Sequence, residues 1–149
     1  PLPGRVDGFM SGMSRRLPFL VLSRMEGLTA SNTLYVIRFR GRVTASEKAS
    51  LGVLLLTSSV RADLAKHARV YADGLWKLEP TDLGAVRVPV VQARADAAQV
   101  LRHATSLLLK GQDAEASAVA DAWVAAVSGV PEDRATMTVE VGRAAGLAS

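Results

Sequence analysis

The chain of 149 residues contains no cysteine. Disulfide staples and thiolate metal centres are therefore excluded, and the fold has to rest on an apolar core. It has only two histidines, His67 and His103, which lie far apart and lack the carboxylate spacing of a metal cluster. No apolar run approaches the roughly 20 residues that a membrane-spanning helix needs. The opening PLPGRVDGFMSGMSRR has neither an initiator Met nor a signal-peptide core, and reads as a cut inside a longer, cytoplasmic protein. Phosphate-cradling GxGxxG and GxxxxGK[ST] loops are absent, as are GxSxG, HExxH and CxxC. Gly27 to Thr33, GLTASNT, is a turn and not a nucleotide loop. Ser58-Ser59 has no His or Lys placed to activate it, and Glu132-Asp133 follows Pro131 where a solvated turn is expected. His103 falls on the polar side of a predicted helix, and His67 suits the dipole at a helix C-terminus. An enzyme complete in itself is thus the least supported class.

What is present is ordinary globular material. Hydrophobic residues make up 49% and charged residues 21%, enough for one domain with a core and too short for two comfortable ones. Aromatics contribute only 5%, so Leu, Val and Ala carry the apolar mass. The formal charge of +4 is uneven. Residues 1–79 hold 12 Lys/Arg against 6 Asp/Glu, a net +6, whereas residues 80–149 hold 6 against 8, a net −2. A basic first half fits a polyanion-facing surface, or simply an Arg-rich solvated one.

The chain divides into three segments: a lead-in over 1–16, a core over 17–91, and a helical hairpin with tail over 92–149. Pro1, Pro3, Gly4, Gly8 and Gly12 predict an irregular lead-in from an upstream domain. Leu17 to Met25 is a short apolar run of strand length, turning at Glu26-Gly27. Thr33 to Arg40 alternates with both faces apolar at the start, as a central strand would. Thr44-Ala45-Ser46-Glu47 fits a capping box, predicting one continuous helix to about Ala68 with Val53, Leu56, Val60 and Leu64 inward. Gly52 in that helix points to a close packing contact. Val70 to Leu78 reads as extended chain, Pro80 to Leu83 as a Pro-started helical turn, and the residues up to Pro89 as a second strand. From Gln92 two apolar stripes separated by Gly111-Gln112-Asp113 predict an αα-hairpin, ended by Gly129-Val130-Pro131. Thr136 to Val141 alternates as a short strand, and the residues from Arg143 on are expected to fray. The predicted class is α+β: a small mixed or antiparallel sheet, a long helix after the second strand, and a C-terminal αα-hairpin.

One ordered set of residues goes further. Ser31-Asn32-Thr33 with Tyr35 and Ile37 comes first, then Leu55-Leu56-Thr57-Ser58. Tyr71, Gly74, Lys77-Leu78, Pro80, Asp82-Leu83 and Val88-Pro89 follow. The set resembles the C-terminal specificity (target-recognition) domains of adenine-specific DNA methyltransferases of restriction-modification systems. Their pattern runs S-N-T-x-Y-x-I, L-L-N-S, then Y-x-G-G-x-x-K-L-x-P-x-D-L with a P-V-P-like exit. Thr57 stands where that pattern has Asn, and Asp73 where it has its first Gly. The resemblance covers about Leu17 to Val91, and the strand–turn–strand is similar to one in the specificity subunits of multisubunit restriction enzymes.

The resemblance implies a domain that recognises sequence in double-stranded DNA and leaves the chemistry to an upstream catalytic domain. That domain would bind S-adenosylmethionine and hold a flipped adenine with an Asn-Pro-Pro-Tyr/Phe motif, absent here; no cofactor is expected in this chain. Candidate DNA contacts are Arg38, Arg40 and Arg42 around Gly41, where Arg can pair with guanine or phosphate; the competing reading is a solvent-facing strand end. Lys77 occupies the pattern's Lys position, with Tyr71 and Arg69 nearby. Tyr71 either stacks on DNA or packs internally, and Trp76 reads as packing. Arg15 and Arg16 either grip phosphate or are linker charge, and Lys66 with Arg69 can extend a basic edge. The alternative class is a protein-interaction module with no DNA affinity, its αα-hairpin providing a dimer or domain interface; a homo-oligomer would form through the C-terminal helices. A helix-turn-helix over Thr44–Arg69 is weak, because no short turn is visible in that segment.

Overall fold

The computed structural model describes residues 6–25, 28, 30–31, 33–89 and 91–128, and the backbone of 139–143. The chain packs as two units, one comprising Pro1–Arg42, Leu64–Val86 and Met137–Ser149, the other Val43–Asp63 and Arg87–Thr136. The architecture is α+β, as the sequence predicts.

The first unit holds two small antiparallel sheets. Strands β1 (Gly8–Ser11), β3 (Val21–Leu22), β4 (Leu34–Phe39) and β7 (Val139–Arg143) form one, in the order β3-β1-β4-β7. Strands β2 (Met13–Ser14), β5 (Arg69–Val70) and β6 (Trp76–Lys77) form the other, in the order β2-β6-β5. β4 has a strand on each side, and Tyr35, Val36 and Ile37 are buried on both faces, as the alternation predicts. The stretch expected to be irregular lead-in instead supplies β1 and β2. A Cβ on Gly8 would lie 2.6 Å from the Val21 carbonyl oxygen, so this glycine permits strands to approach where it was expected to mark a loop. The apolar run from Leu17 contracts to the two residues of β3; Pro18, which cannot donate to a ladder, lies ahead of it.

The extended segment expected over Val70–Leu78 is part of a hairpin, β5 and β6 around the turn Tyr71–Leu75. The Tyr71 N–H donates to the Leu75 carbonyl at 2.9 Å and the Gly74 N–H to that of Tyr71 at 2.9 Å, with Gly74 at φ +77°. Helix α3 (Pro80–Ala85) starts with Pro80, whose missing N–H costs nothing there. The second strand expected before Pro89 does not form. The Val86 N–H bonds back to Leu83, the Arg87 N–H goes to the Asp63 carboxylate at 2.9 Å, and Pro89 has no donor.

The second unit is helical. Helices α4 (Ala97–Leu109) and α5 (Asp113–Val127) form the predicted hairpin, with Gly111 at φ +80° in the turn. Ala97, Leu101, Ala104 and Leu108 face inward from α4, and Ala116, Ala120, Trp123 and Val127 from α5. The helix predicted to run unbroken from Thr44 is two helices, α1 (Ala45–Leu54) and α2 (Ser58–His67); the boundary between units falls within α2. Over the break, Leu56 and Thr57 donate to carbonyls three residues back, at 2.9 and 3.2 Å, so the chain tightens without losing bonds. Val53, Leu56, Val60 and Leu64 are all buried as predicted, which is why the stripe concealed the break. The short turn whose apparent absence weakened the helix-turn-helix reading is therefore present. What opposes that reading is α2 itself, since Ser58 at its start binds the Asp121 carboxylate and its Arg61 is buried.

Candidate nucleic-acid interface

All nine candidate DNA contacts fall in the first unit: Arg15, Arg16, Arg38, Arg40, Arg42, Lys66, Arg69, Tyr71 and Lys77. Counted over each unit's sequence, the first holds 11 Lys/Arg against 6 Asp/Glu, a net +5, and the second 7 against 8, a net −1. The basic character the sequence puts in the first half is thus a property of one folding unit.

Within that unit the candidates sit in distinct places. The three-stranded sheet aligns Met13, Lys77 and Arg69 in one row and Ser14, Trp76 and Val70 in the next. Neighbours in a row share a face, so Lys77 and Arg69 lie side by side. Arg15 and Arg16 are exposed directly after β2, where the Arg16 N–H bonds the Ser14 hydroxyl at 3.1 Å. Arg69 and Tyr71 are exposed, Tyr71 by 46%. Trp76 is half-buried, in keeping with packing. Lys77 is less available than its position in the motif implies: it is half-buried, and its Nζ pairs with Glu79 Oε1 at 3.0 Å. Arg38 is half-exposed near the end of β4, in register with Glu140 of β7, and Arg40 and Arg42 are exposed on either side of Gly41 at φ +76°. Lys66 is exposed in the last turn of α2.

The residues that carry the family resemblance are, by contrast, mostly structural. The Tyr35 hydroxyl donates to the Leu78 carbonyl at 2.6 Å, a buried bond joining two motif pieces 43 residues apart. Gly12 closes the same joint: its N–H donates to Thr33 and its carbonyl accepts from Leu78, each at 3.0 Å. Asp82 caps α3 by accepting the Glu79 N–H at 2.9 Å. The Thr57 hydroxyl, standing where the pattern has Asn, donates to the Leu54 carbonyl at 2.7 Å in the break between α1 and α2. The Ser58 N–H and hydroxyl both donate to Asp121, at 2.9 and 2.6 Å. Ser31 and Thr33 hydrogen-bond to each other at 2.9 Å; Asn32, between them, lies outside the described residues, as do Glu26-Gly27, Gly129 to Pro131 and Glu132-Asp133.

Sequence reasoning misread one residue that organises this unit and passed over another. Gly12 was taken as a loop signal. Asp7 carries no local signal, yet its buried carboxylate accepts the Phe39 N–H at 2.9 Å, 32 residues away. Among the described residues no group of His, Cys, Asp and Glu could hold a metal ion, and no helix is long and apolar enough to cross a membrane.

Comparison with known proteins supplies the family. No curated protein and no solved structure matches the chain. The family model described as "Type II methyltransferase M.Eco57I, C-terminal domain" matches residues 1–125. That span takes in β1 and β2 as well as α4 and most of α5, which the motif resemblance left outside. The chain accordingly belongs to the family of the Type II methyltransferase M.Eco57I C-terminal domain.

Proposed function

We propose that this chain is the DNA-sequence recognition domain of an N6-adenine methyltransferase. It binds duplex DNA while a separate catalytic domain, carrying S-adenosylmethionine, methylates an adenine flipped out of the stack. Both partners, the duplex and that catalytic domain, belong to this proposal, as does a cytoplasmic location.

The observation that carries the reading is that the net positive charge, with all nine candidate contacts, falls in one unit of a methyltransferase C-terminal domain. A duplex is a dense polyanion, and a surface that neutralises its phosphates supplies affinity and register. Sequence is then read by a few side chains that reach base edges. Arg38, Arg40, Arg42, Arg69 and Tyr71 have the chemistry for that, since Arg pairs bidentately with guanine O6 and N7. The interaction-module alternative leaned on the apolar stripes of α4 and α5. Of those stripes, Ala97, Leu101, Ala104 and Leu108 of α4 and Ala116, Ala120, Trp123 and Val127 of α5 are already buried.

Selection from a random-sequence duplex pool separates the two readings. The chain, immobilised and washed at moderate salt, is expected to enrich a recurrent short sequence over several rounds. An interaction module would return the pool unchanged, and that result would defeat the proposal.

A further inference from the structure

We propose that the β5–β6 hairpin is the element that enters a groove of the duplex, with Tyr71 against base or sugar and Arg15 and Arg69 on the flanking phosphates. This rests on the DNA-recognition reading above and names the surface that performs it.

The hairpin projects. Arg69, Val70, Tyr71, Ala72, Asp73 and Gly74 are all exposed, Val70 by 57% and Tyr71 by 46%. Both rows of the β5–β6 ladder also carry β2, so what extends beyond the three-stranded sheet is the turn Tyr71–Leu75. The major groove of B-DNA admits a two-stranded ribbon, and a tight turn with its two flanking chains is no wider. The projection is also built in advance. Its turn is closed by the Tyr71–Leu75 and Gly74–Tyr71 bonds, and Asp73 accepts the Leu75 N–H at 3.3 Å. Its base is fixed where the Leu78 N–H meets the Gly12 carbonyl and the Tyr35 hydroxyl meets the Leu78 carbonyl. An element already ordered spends little conformational entropy on binding.

Charge names the occupant. Arg69 on β5 and Arg15-Arg16 after β2 lie on opposite sides of β6, an arrangement that can bracket a groove with cations while an aromatic occupies the tip. Lys77, on the central strand, is engaged by Glu79 and holds the base of the hairpin.

The test uses the 149-residue chain and a fluorescent 30-base-pair duplex of mixed sequence, with anisotropy followed across salt. Arg15→Ala with Arg69→Ala should flatten the slope of log affinity against log salt by about 2, close to 0.9 per lost phosphate contact. Tyr71→Ala should weaken binding about fivefold or more and leave the slope unchanged. Because the chain has no native cysteine, Ala72→Cys can carry a photo-crosslinker without other change. It should crosslink to the duplex, whereas the same group at Ala114→Cys, exposed on α5, should not. If the hairpin variants bind as tightly as the parent and Ala72 does not crosslink, while Arg38→Ala with Arg40→Ala abolishes binding, this inference falls and DNA recognition stands. A parent chain that binds no duplex at any salt overturns both.

Discussion

Tyr35 shows how much depends on a single hydroxyl. Its bond to the Leu78 carbonyl is buried and links β4 to the residue that follows β6. Tyr35→Phe should cost about 1–3 kcal/mol in urea unfolding, because the carbonyl loses a buried partner. Gly12 lies against the same ring, and a Cβ there would sit 2.7 Å from the Tyr35 hydroxyl oxygen. Gly12→Ala should therefore destabilise by about 1–3 kcal/mol through overpacking, read in the same titration. The sequence marked Tyr35 twice, in the strand alternation and in the family motif, yet neither mark states what its hydroxyl does. That depends on a partner 43 residues away. Lys77 is the converse case. Its motif position suggested a DNA contact, but Glu79 two residues on takes its charge. Lys77→Ala should thus reduce duplex affinity less than Arg69→Ala, as paired anisotropy titrations would show.

At the scale of elements, local chemistry was legible and distant chemistry was not. The capping box at α1 is present in full: the Glu47 carboxylate accepts from the Thr44 hydroxyl at 2.8 Å and its backbone N–H at 2.6 Å, and the Glu47 N–H donates to the hydroxyl at 3.2 Å. Thr44→Ala should cost about 1 kcal/mol. Those Thr44 donors hold the Glu47 carboxyl below its usual value, the backbone N–H contributing most. A lowered carboxyl favours the folded state above its unfolded value of about 4.3, and the benefit fades as pH falls through the lower folded value. Hydrogen exchange should show the first turn of α1 loosening under acid, modestly, since Glu47 is well solvated. The αα-hairpin was legible for the same reason, its two stripes and the glycine turn being local. Gly52 was legible too: a Cβ there would sit 2.7 Å from Leu101 of α4, the close contact expected of it.

The break after Leu54 was not legible, because what fixes it is remote. Asp121, 63 residues on, takes the Ser58 N–H and hydroxyl and so starts a new helix. Asp121→Ala should cost about 1 kcal/mol, the usual worth of such a cap. Arg61 one turn later is equally non-local. It is buried, its Nη2 pairs with Asp113 at 3.2 Å, its Nη1 has no hydrogen-bond partner, and burial pulls its pKa down against the support of Asp113. Asp113→Asn should destabilise by about 2 kcal/mol, less than a fully buried pair because Asp113 keeps 37% of its side chain in solvent. Arg61→Met in that background should restore stability in the same thermal melts, since no unpaired charge then remains inside.

For the molecule as a whole, the charge gradient along the sequence corresponds to a difference in net charge between the two units, though a single cut along the chain cannot follow them. A cut at residue 79 follows the chain, whereas the units interleave 1–42, 64–86 and 137–149 against 43–63 and 87–136. No composition count finds such an interleaving, because strand pairing across long separations creates it. Gly8 and Gly12 misled for a related reason: read as loop signals, they are sites where strands and a tyrosine ring approach closely. The absence of catalytic motifs and the basic excess survive this correction, and the family match gives them a setting. If the first unit binds duplex DNA through its phosphates, the slope of log affinity against log salt for the intact chain on a duplex should be about −3 or steeper, as for three or more neutralised phosphates. Binding that ignores salt, or no binding at low salt, would show that it does not.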